Sequence, residues 1–351
     1  MLALAAGALY LARMAEVATP APVLLEALGE AALIAGGGRV LAANAAARAL
    51  LGDAIAGAEV DRVIAHPAAL EALERAGSGR GDDVELTGLG GSRRHWLMRS
   101  AALGDGTTLI RFVDRSEARA AEQMRVDFVA NASHELRTPL ATLIGYTETL
   151  REQAAEIDPE TSERFLAIVH DEARRMQHVV EDLISLSRIE AEKFTAPTDA
   201  VDLRPLIAQA LESARRMAEK RGSPLVADIA PGLPLVAADR SQILQLLDNL
   251  ITNALRYGEP GTPVVVSARI EGPMVDLAVT DQGEGIAPEH IARVTERFYR
   301  VDTSRSRSLG GTGLGLSIVK HIVERHRGRL SIDSKLGEGT AVHVLLPPAQ
   351  S

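Results

Sequence analysis

Hydrophobic periodicity divides this chain into segments of different character. Phe128, Ala132, Leu136 and Leu140 recur every fourth residue, and Leu143, Ile144, Thr147 and Leu150 carry the stripe onward. That spacing predicts one face of a helix. Asp114–Arg125 before it is charged, rich in Ala and free of Gly and Pro, so it should run into the same helix. A second stripe, Phe165, Val169, Ala173, Met176, Val180, Leu183 and Ser187, follows Asp158-Pro159. That dipeptide supplies an N-cap and a proline at the first helical position. Joined near Ile157, the two helices form an antiparallel hairpin with its apolar stripe half uncovered. Two copies would close it into a four-helix bundle, so a homodimer is expected.

On either side the period changes. TPAP (Thr19–Pro22) breaks the chain, and short elements follow: a helix over Leu24–Leu28, strands over Ala32–Ile34 and Val40–Ala42 around Gly36-Gly37-Gly38, and a helix over Asn44–Leu51 ended by Gly52. Alternating runs at Asp83–Leu86, His95–Ala101 and Thr107–Phe112 read as antiparallel strands. Beyond a linker, Glu192–Val201, come a helix over Leu203–Arg221, a strand over Leu225–Ile229 and a helix over Gln242–Tyr257. Strands at Val264–Ile270 and Met274–Thr280, a helix over Leu314–Arg327 and a hairpin of Arg329–Asp333 with Thr340–Leu346 complete it. The expectation is a multidomain α+β chain: an N-terminal segment 1–19, a small α/β domain 20–114, the helical hairpin 115–192 and an α/β sandwich 200–348.

Composition narrows this picture. A chain of 351 residues suits two or three domains, and 46% hydrophobic residues suffice for real cores. Aromatics are only 3%, so the cores rest on Leu, Val, Ile and Ala. Absence of cysteine excludes disulfides and thiolate metal sites. A net charge of −9 argues against nucleic acid as a partner. Met1–Ala12 is nearly all apolar but falls short of the ~20 residues that span a bilayer. It reads as the tail of a membrane helix, an interfacial anchor, or a start codon placed inside the gene.

The chemistry-bearing residues lie in a few places. FVANASHELRTPL (Phe128–Leu140) puts His134 off the apolar stripe, with Glu135 beside it and Thr138 one turn on; Pro139 should bend the helix. LLDNLITNALRYG places Asn249 and Asn253 at i, i+4, and amide oxygens suit Mg²⁺. DQGEGI ends a strand at Asp281, with Gly283 and Gly285 allowing backbone to approach a ligand. GGTGLGLSIVK sets Gly311, Gly313 and Gly315 at a helix N-terminus, where free amides and the dipole form a phosphate cradle. GEGT (Gly337–Thr340) closes the set.

FVANASHELRTPL resembles the phosphoacceptor box of sensor histidine kinases, and the four later segments resemble the ATP-binding domain those kinases share with gyrase, Hsp90 chaperones and MutL. The resemblance implies ATP-dependent phosphorylation of His134, with Glu135 orienting or deprotonating the ring and Thr138 positioning water for a phosphatase reaction. It implies Mg²⁺ on Asn253, adenine recognition by Asp281 and a pocket lined by Tyr257. Asn249, Gly283, Gly285, Arg300, the loop Gly311-Thr312-Gly313-Leu314-Gly315 and Thr340 would complete the ATP contacts. Arg305 or Arg307 would reach the phosphates, and Phe298 would pack in the lid between Gly285 and Gly311. Gly258 departs from the family, where Thr or Ser follows the Tyr. The implied partner is an aspartate in a response regulator receiver domain. The implied place is the bacterial inner membrane facing the cytoplasm, or the soluble cytoplasm if the N-terminus is no membrane helix.

Residues 20–114 resemble a PAS sensor domain in element order alone. There His66 and His95 read as ordinary surface or edge-strand residues. The whole layout is similar to the phosphate-regulon sensor kinases. The joint before His134 would then transmit a rotation or tilt, so insertions there should perturb output with a helical period. The competing readings are a conformational ATPase of the gyrase or Hsp90 kind, and a binding module whose nucleotide site is only regulatory.

Overall fold

The computed structural model describes residues 20–77, 82–91, 93–104, 106–153, 157–192, 194–301 and 311–349. Met1–Ala12, Arg305 and Arg307 lie outside the described residues. The chain divides into two compact units, one ending at Asp127 and the other beginning at Phe128.

The first unit opens with α1 (Pro20–Glu26) and the hairpin β1 (Ala31–Gly36) and β2 (Arg39–Ala43). Gly37 and Gly38 turn it, both at positive φ. Helices α2 (Ala45–Leu51), α3 (Val60–Val63) and α4 (Pro67–Gly77) precede β3 (Asp83–Thr87), β4 (His95–Gly104) and β5 (Thr107–Asp114). The sheet is antiparallel in the order β2-β1-β5-β4-β3. Asn44 fixes the entry to α2: its Oδ1 accepts from the amides of Ala32 and Ala47, and its Nδ2 donates to the carbonyls of Leu25 and Glu30. A buried side chain with every polar atom bonded rigidifies its surroundings. Ala72, Leu86, Met98, Ile110 and Phe112 belong to the core of this unit.

Helix α5 (Ser116–Glu152) continues through Pro139, which is buried within it. Helix α6 (Pro159–Ala191) starts as the sequence dictates, with the Asp158 carboxylate accepting from the Thr161 amide. The expected stripe of α6 is left partly uncovered in one chain, and a second face is buried beside it. Val179, Leu186 and Ile189 are buried, whereas Ala173, Val180 and Ser187 are exposed. The reason is a second packing partner: Leu186 and Ile189 belong to the core of the C-terminal domain, with Leu183 and Phe128 packed against it. Hairpin and C-terminal domain therefore share one core.

That domain contains β6 (Ala200–Val201), α7 (Leu203–Arg221), β7 (Leu225–Ile229), β8 (Val236–Ala237), α8 (Arg240–Tyr257), β9 (Val264–Glu271) and β10 (Met274–Asp281). It ends with α9 (Pro288–Ile291), α10 (Gly315–Arg325), β11 (Arg329–Lys335) and β12 (Gly339–Leu346). The main sheet runs β11-β12-β10-β9-β7, antiparallel except for β7 against β9. Alternate residues Val264, Val266 and Ala268, then Val275, Leu277 and Val279, then Val342, Val344 and Leu346 are buried. This is the period-2 face on which α7, α8 and α10 pack. The β6–β8 pair had no counterpart in the sequence pattern, because two-residue strands show no alternation.

Candidate functional site

Helix α8 has two faces. Asp239 caps it, accepting from the amides of Ser241 and Gln242 at 2.9 and 3.2 Å. Ile243, Leu246, Leu247, Leu250 and Ile251 then fall on the side facing the sheet and are buried. The opposite side delivers Asn249, Asn253, Arg256 and Tyr257 into a cavity of about 620 Å³. Asp281, the last residue of β10, enters the same cavity. Burial lifts its carboxyl to about 6, against hydrogen bonds from the Gly283 and Thr340 amides.

The glycines here serve chain crossings first. A Cβ on Gly283 would stand 2.3 Å from the Tyr257 carbonyl oxygen, and one on Gly285 2.1 Å from that of Lys335. Gly285 lines the cavity, whereas Gly283 stands outside the lining. Both glycines admit neighbouring backbone, and Gly285 also lines the cavity. Gly258 is similarly placed, since a Cβ there would lie 2.5 Å from the Ala254 carbonyl oxygen.

The lining continues with Thr340, the strand partner of Asp281, and the wall of Gly311, Thr312, Gly313, Gly315, Tyr299 and Arg300. Gly313 has φ 73°, and a Cβ there would meet Phe298 at 2.9 Å. Phe298, itself at positive φ, donates its amide to the Gly313 carbonyl at 2.8 Å. Gly315 opens α10, and a Cβ on it would stand 3.0 Å from Asn249 Oδ1 and 3.7 Å from Asn253 Nδ2. The asparagine pair and the N-terminus of α10 are thus neighbours. Leu314 points away and is wholly buried in the core. Two guanidiniums complete the wall. Nε of both Arg256 and Arg300 is buried without a hydrogen-bond partner. Burial pushes the Arg256 guanidinium down, with the nearby Arg300 charge adding to that and Tyr257 and Asp182 opposing it. Buried cations with unfilled donors, beside a helix N-terminus and a half-buried amide pair, suit a polyanion.

The phosphoacceptor candidate is on α5. His134 is exposed, and the Thr138 hydroxyl donates to the His134 carbonyl at 3.4 Å. Neither belongs to the cavity lining. Glu135 is bonded elsewhere than to its neighbour's ring: its Oε2 accepts from Arg300 at 2.9 Å and from Arg175 of α6 at 3.3 Å. Other links join the hairpin to the cavity wall. The Thr312 hydroxyl donates to Asp182 at 2.9 Å, Arg297 pairs with Glu190, and the rings of Phe128 and Phe298 lie 5.9 Å apart. Burial raises the Asp182 carboxyl, with the Thr312 hydroxyl opposing it.

Sequence reasoning missed Arg256, Arg175, Asp182 and His290; His178, which reads from sequence as solvated, is exposed and also borders the cavity. Arg256 had a signal, being a basic residue three positions after Asn253 on one helix face. Asp182, His178 and His290 line the cavity through folding alone, and Arg175 reaches the site from the other hairpin helix.

Comparison with known proteins agrees with this geometry. Residues 124–192 match the His Kinase A (phospho-acceptor) domain, and residues 238–350 match the histidine kinase-, DNA gyrase B- and HSP90-like ATPase. The chain is 39% identical over 278 residues to the sensor-like histidine kinase SenX3 of Mycobacterium tuberculosis, covering 76% of this chain and 67% of that one. It is 38% identical over 237 residues to the phosphate regulon sensor protein PhoR of Pseudomonas aeruginosa, covering 68% of this chain and 53% of PhoR. The fold resembles that of histidine kinase ThkA, solved in complex with response regulator TrrA, with a TM-score of 0.53 at 19% identity over 93% of this chain and 98% of that one. The chain belongs to the sensor histidine kinases of two-component systems. It spans about half the length of PhoR and two thirds of SenX3. Among the described residues no helix is long and apolar enough to cross a membrane.

Proposed function

We propose that the protein transfers the γ-phosphoryl group of ATP to His134 and passes it on to an aspartate of a response regulator receiver domain. One observation carries this reading: the cavity that gathers Asn249, Asn253, Asp281, the glycine loop and two buried arginines is tied, through Arg300, to the residue beside an exposed histidine. Asp281 would accept from the adenine amino group, and Tyr257 would line the base. The amides of Gly311–Gly315, with Arg256 and Arg300, would take the phosphates. Phosphoryl transfer leaves little covalent work to the protein beyond positioning and charge neutralisation.

In the transfer, one imidazole nitrogen of His134 forms a bond to the γ-phosphorus as the bond to the β–γ bridging oxygen breaks. ADP departs with that electron pair. The proton on the other ring nitrogen passes to Glu135. Neutral imidazole is a competent nucleophile near neutral pH, and exposure gives it access. Among the described residues no cluster of three or more His, Asp or Glu is placed to hold a metal ion. Magnesium, which keeps water and phosphate oxygens as ligands, suits a site where Asn253 is the main protein ligand, and would neutralise phosphate charge there.

The remaining assignments belong to the same proposal. Residues 20–114 form a PAS-type sensor domain, supported by the sheet order β2-β1-β5-β4-β3 with three helices between β2 and β3. Residues 115–192 form the dimerising phosphotransfer hairpin and residues 200–348 the ATP-binding domain. A homodimer is supported by the uncovered Leu140 and Ile144 on α5 and Leu166, Val180 and Ile184 on α6. Thr138 would position water for phosphatase activity. The likeness to PhoR supports phosphate-starvation signalling, with membrane association through the N-terminus. Incubation with γ-labelled ATP and Mg²⁺ tests the core of this: acid-labile, base-stable label should appear on the protein and be chased onto a receiver domain. ATP hydrolysis without label would overturn it.

A further inference from the structure

We infer that Arg175 is a positioning residue for Glu135, and that Glu135 is handed from Arg300 to Arg175 as the nucleotide site fills. The inference rests on the proposed phosphorylation of His134 and extends it. Both guanidiniums land on the same oxygen, Oε2 of Glu135, at 2.9 Å for Arg300 and 3.3 Å for Arg175. The cluster is largely withdrawn from water, the side chains of Arg300, Arg175 and Glu135 being 6%, 14% and 24% exposed. At such burial an ion pair is worth much more than on a surface, and an abandoned partner is costly.

The two arginines differ in what they are attached to. Arg300 lines the nucleotide cavity and follows Tyr299 in its wall, whereas the buried, unpartnered Nε is common to both arginines. Arg175 stands outside the cavity lining, on the same hairpin as Glu135. Glu172, one turn before it, lies 3.9 Å from Arg175 and adds a charge contact, without a hydrogen bond, from its own helix. A triphosphate offers Arg300 more negative charge than one carboxylate does. Drawn to the phosphates, Arg300 leaves Glu135, and Arg175 remains to keep the carboxylate paired on the hairpin beside His134. Without Arg175, Glu135 would hold Arg300 alone and oppose the nucleotide, and would lose its anchor once Arg300 left.

The consequence is a split between binding and turnover. Arg175→Ala should raise KM for ATP by about three- to tenfold, because the Glu135–Arg300 pair becomes exclusive, and should lower kcat for His134 labelling by about tenfold. Arg175→Lys keeps the charge without the fork and should recover part of both. Glu135→Gln should lower KM, since Arg300 is freed, while reducing kcat. On the Glu135→Gln background Arg175→Ala should change neither constant further.

The experiment measures kcat and KM of autophosphorylation with γ-labelled ATP for full-length wild type, Arg175→Ala, Arg175→Lys, Glu135→Gln and the double variant. Thermal unfolding of each guards against a folding defect, and Arg175→Lys is read in place of Arg175→Ala if the latter unfolds. Full non-additivity supports the inference. Equal losses from the arginine substitution on both backgrounds, or an unchanged KM in the folded arginine variants, overturn it. Wild type without label would instead defeat the proposed function itself.

Discussion

Helices α5 and α8 carry apolar stripes of the same helical period and meet different fates. On α8 the stripe is buried from Ile243 to Leu255 against the sheet, and the opposite face is free to present Asn249 and Asn253. On α5, Leu140 and Ile144 stay 46% and 48% exposed, and His134 stands in the open. Periodicity announces a helix but not what covers it. On the proposed function, the face that holds the nucleotide is bolted to a core, while the helix that gives its histidine to ATP and then to a second protein keeps its surfaces open. The α8 stripe is covered from within its own domain, and in the proposed homodimer a second copy of the chain would cover the α5 stripe.

The strongest way to break this contrast is truncation on each stripe. Leu247→Ala removes a wholly buried side chain and should cost about 2–5 kcal/mol in denaturant unfolding of the unit beginning at Phe128. Ile144→Ala should cost under about 1 kcal/mol there, yet weaken self-association measured by sedimentation. Equal costs in unfolding would erase the distinction. Next in size, Asn253→Ala lies on the polar face of α8 and should depress phosphorylation by about a hundredfold with little loss of stability, as checked by labelling and thermal melts. Gly315→Ala would crowd Asn249 and should weaken nucleotide binding by about tenfold.

The smallest effect follows pH. Burial holds the Asp281 carboxyl at about 6, above its ordinary value. A raised acid favours the folded state at low pH, and that contribution is lost as pH rises from the ordinary carboxylate range through about 6. In the proposed assignment the ionised carboxylate is the better acceptor for the adenine amino group, so the signs oppose. Nucleotide affinity should fall by about tenfold from pH 7 to pH 5, and nucleotide should lower the carboxyl's pKa. Asp281→Asn should flatten that dependence in a binding titration.

Much of the architecture was legible because its signals are local. Asp239 and Gly258 bound α8 by capping, Asn44 and Gly52 bound α2, and alternating Val and Leu residues mark β9, β10 and β12. The cavity residues could be read from motifs because glycine loops and the asparagine pair are contiguous in sequence. What escaped is long-range. Glu135 and Arg300 are 165 residues apart, and Thr312 and Asp182 are 130 apart. No periodicity brings such groups together, and only the packing of α6 onto the C-terminal domain does so. The same packing buries a second face of α6 that its apolar stripe did not announce. Gly283 shows a role the motif did not announce, since a Cβ there would meet a neighbouring carbonyl.

The most direct measurement is incubation of the purified protein with γ-labelled ATP and Mg²⁺ beside His134→Gln and Asn253→Ala. The account predicts acid-labile, base-stable label on wild type that vanishes in both variants. Label that survives in His134→Gln would place the acceptor elsewhere and contradict it.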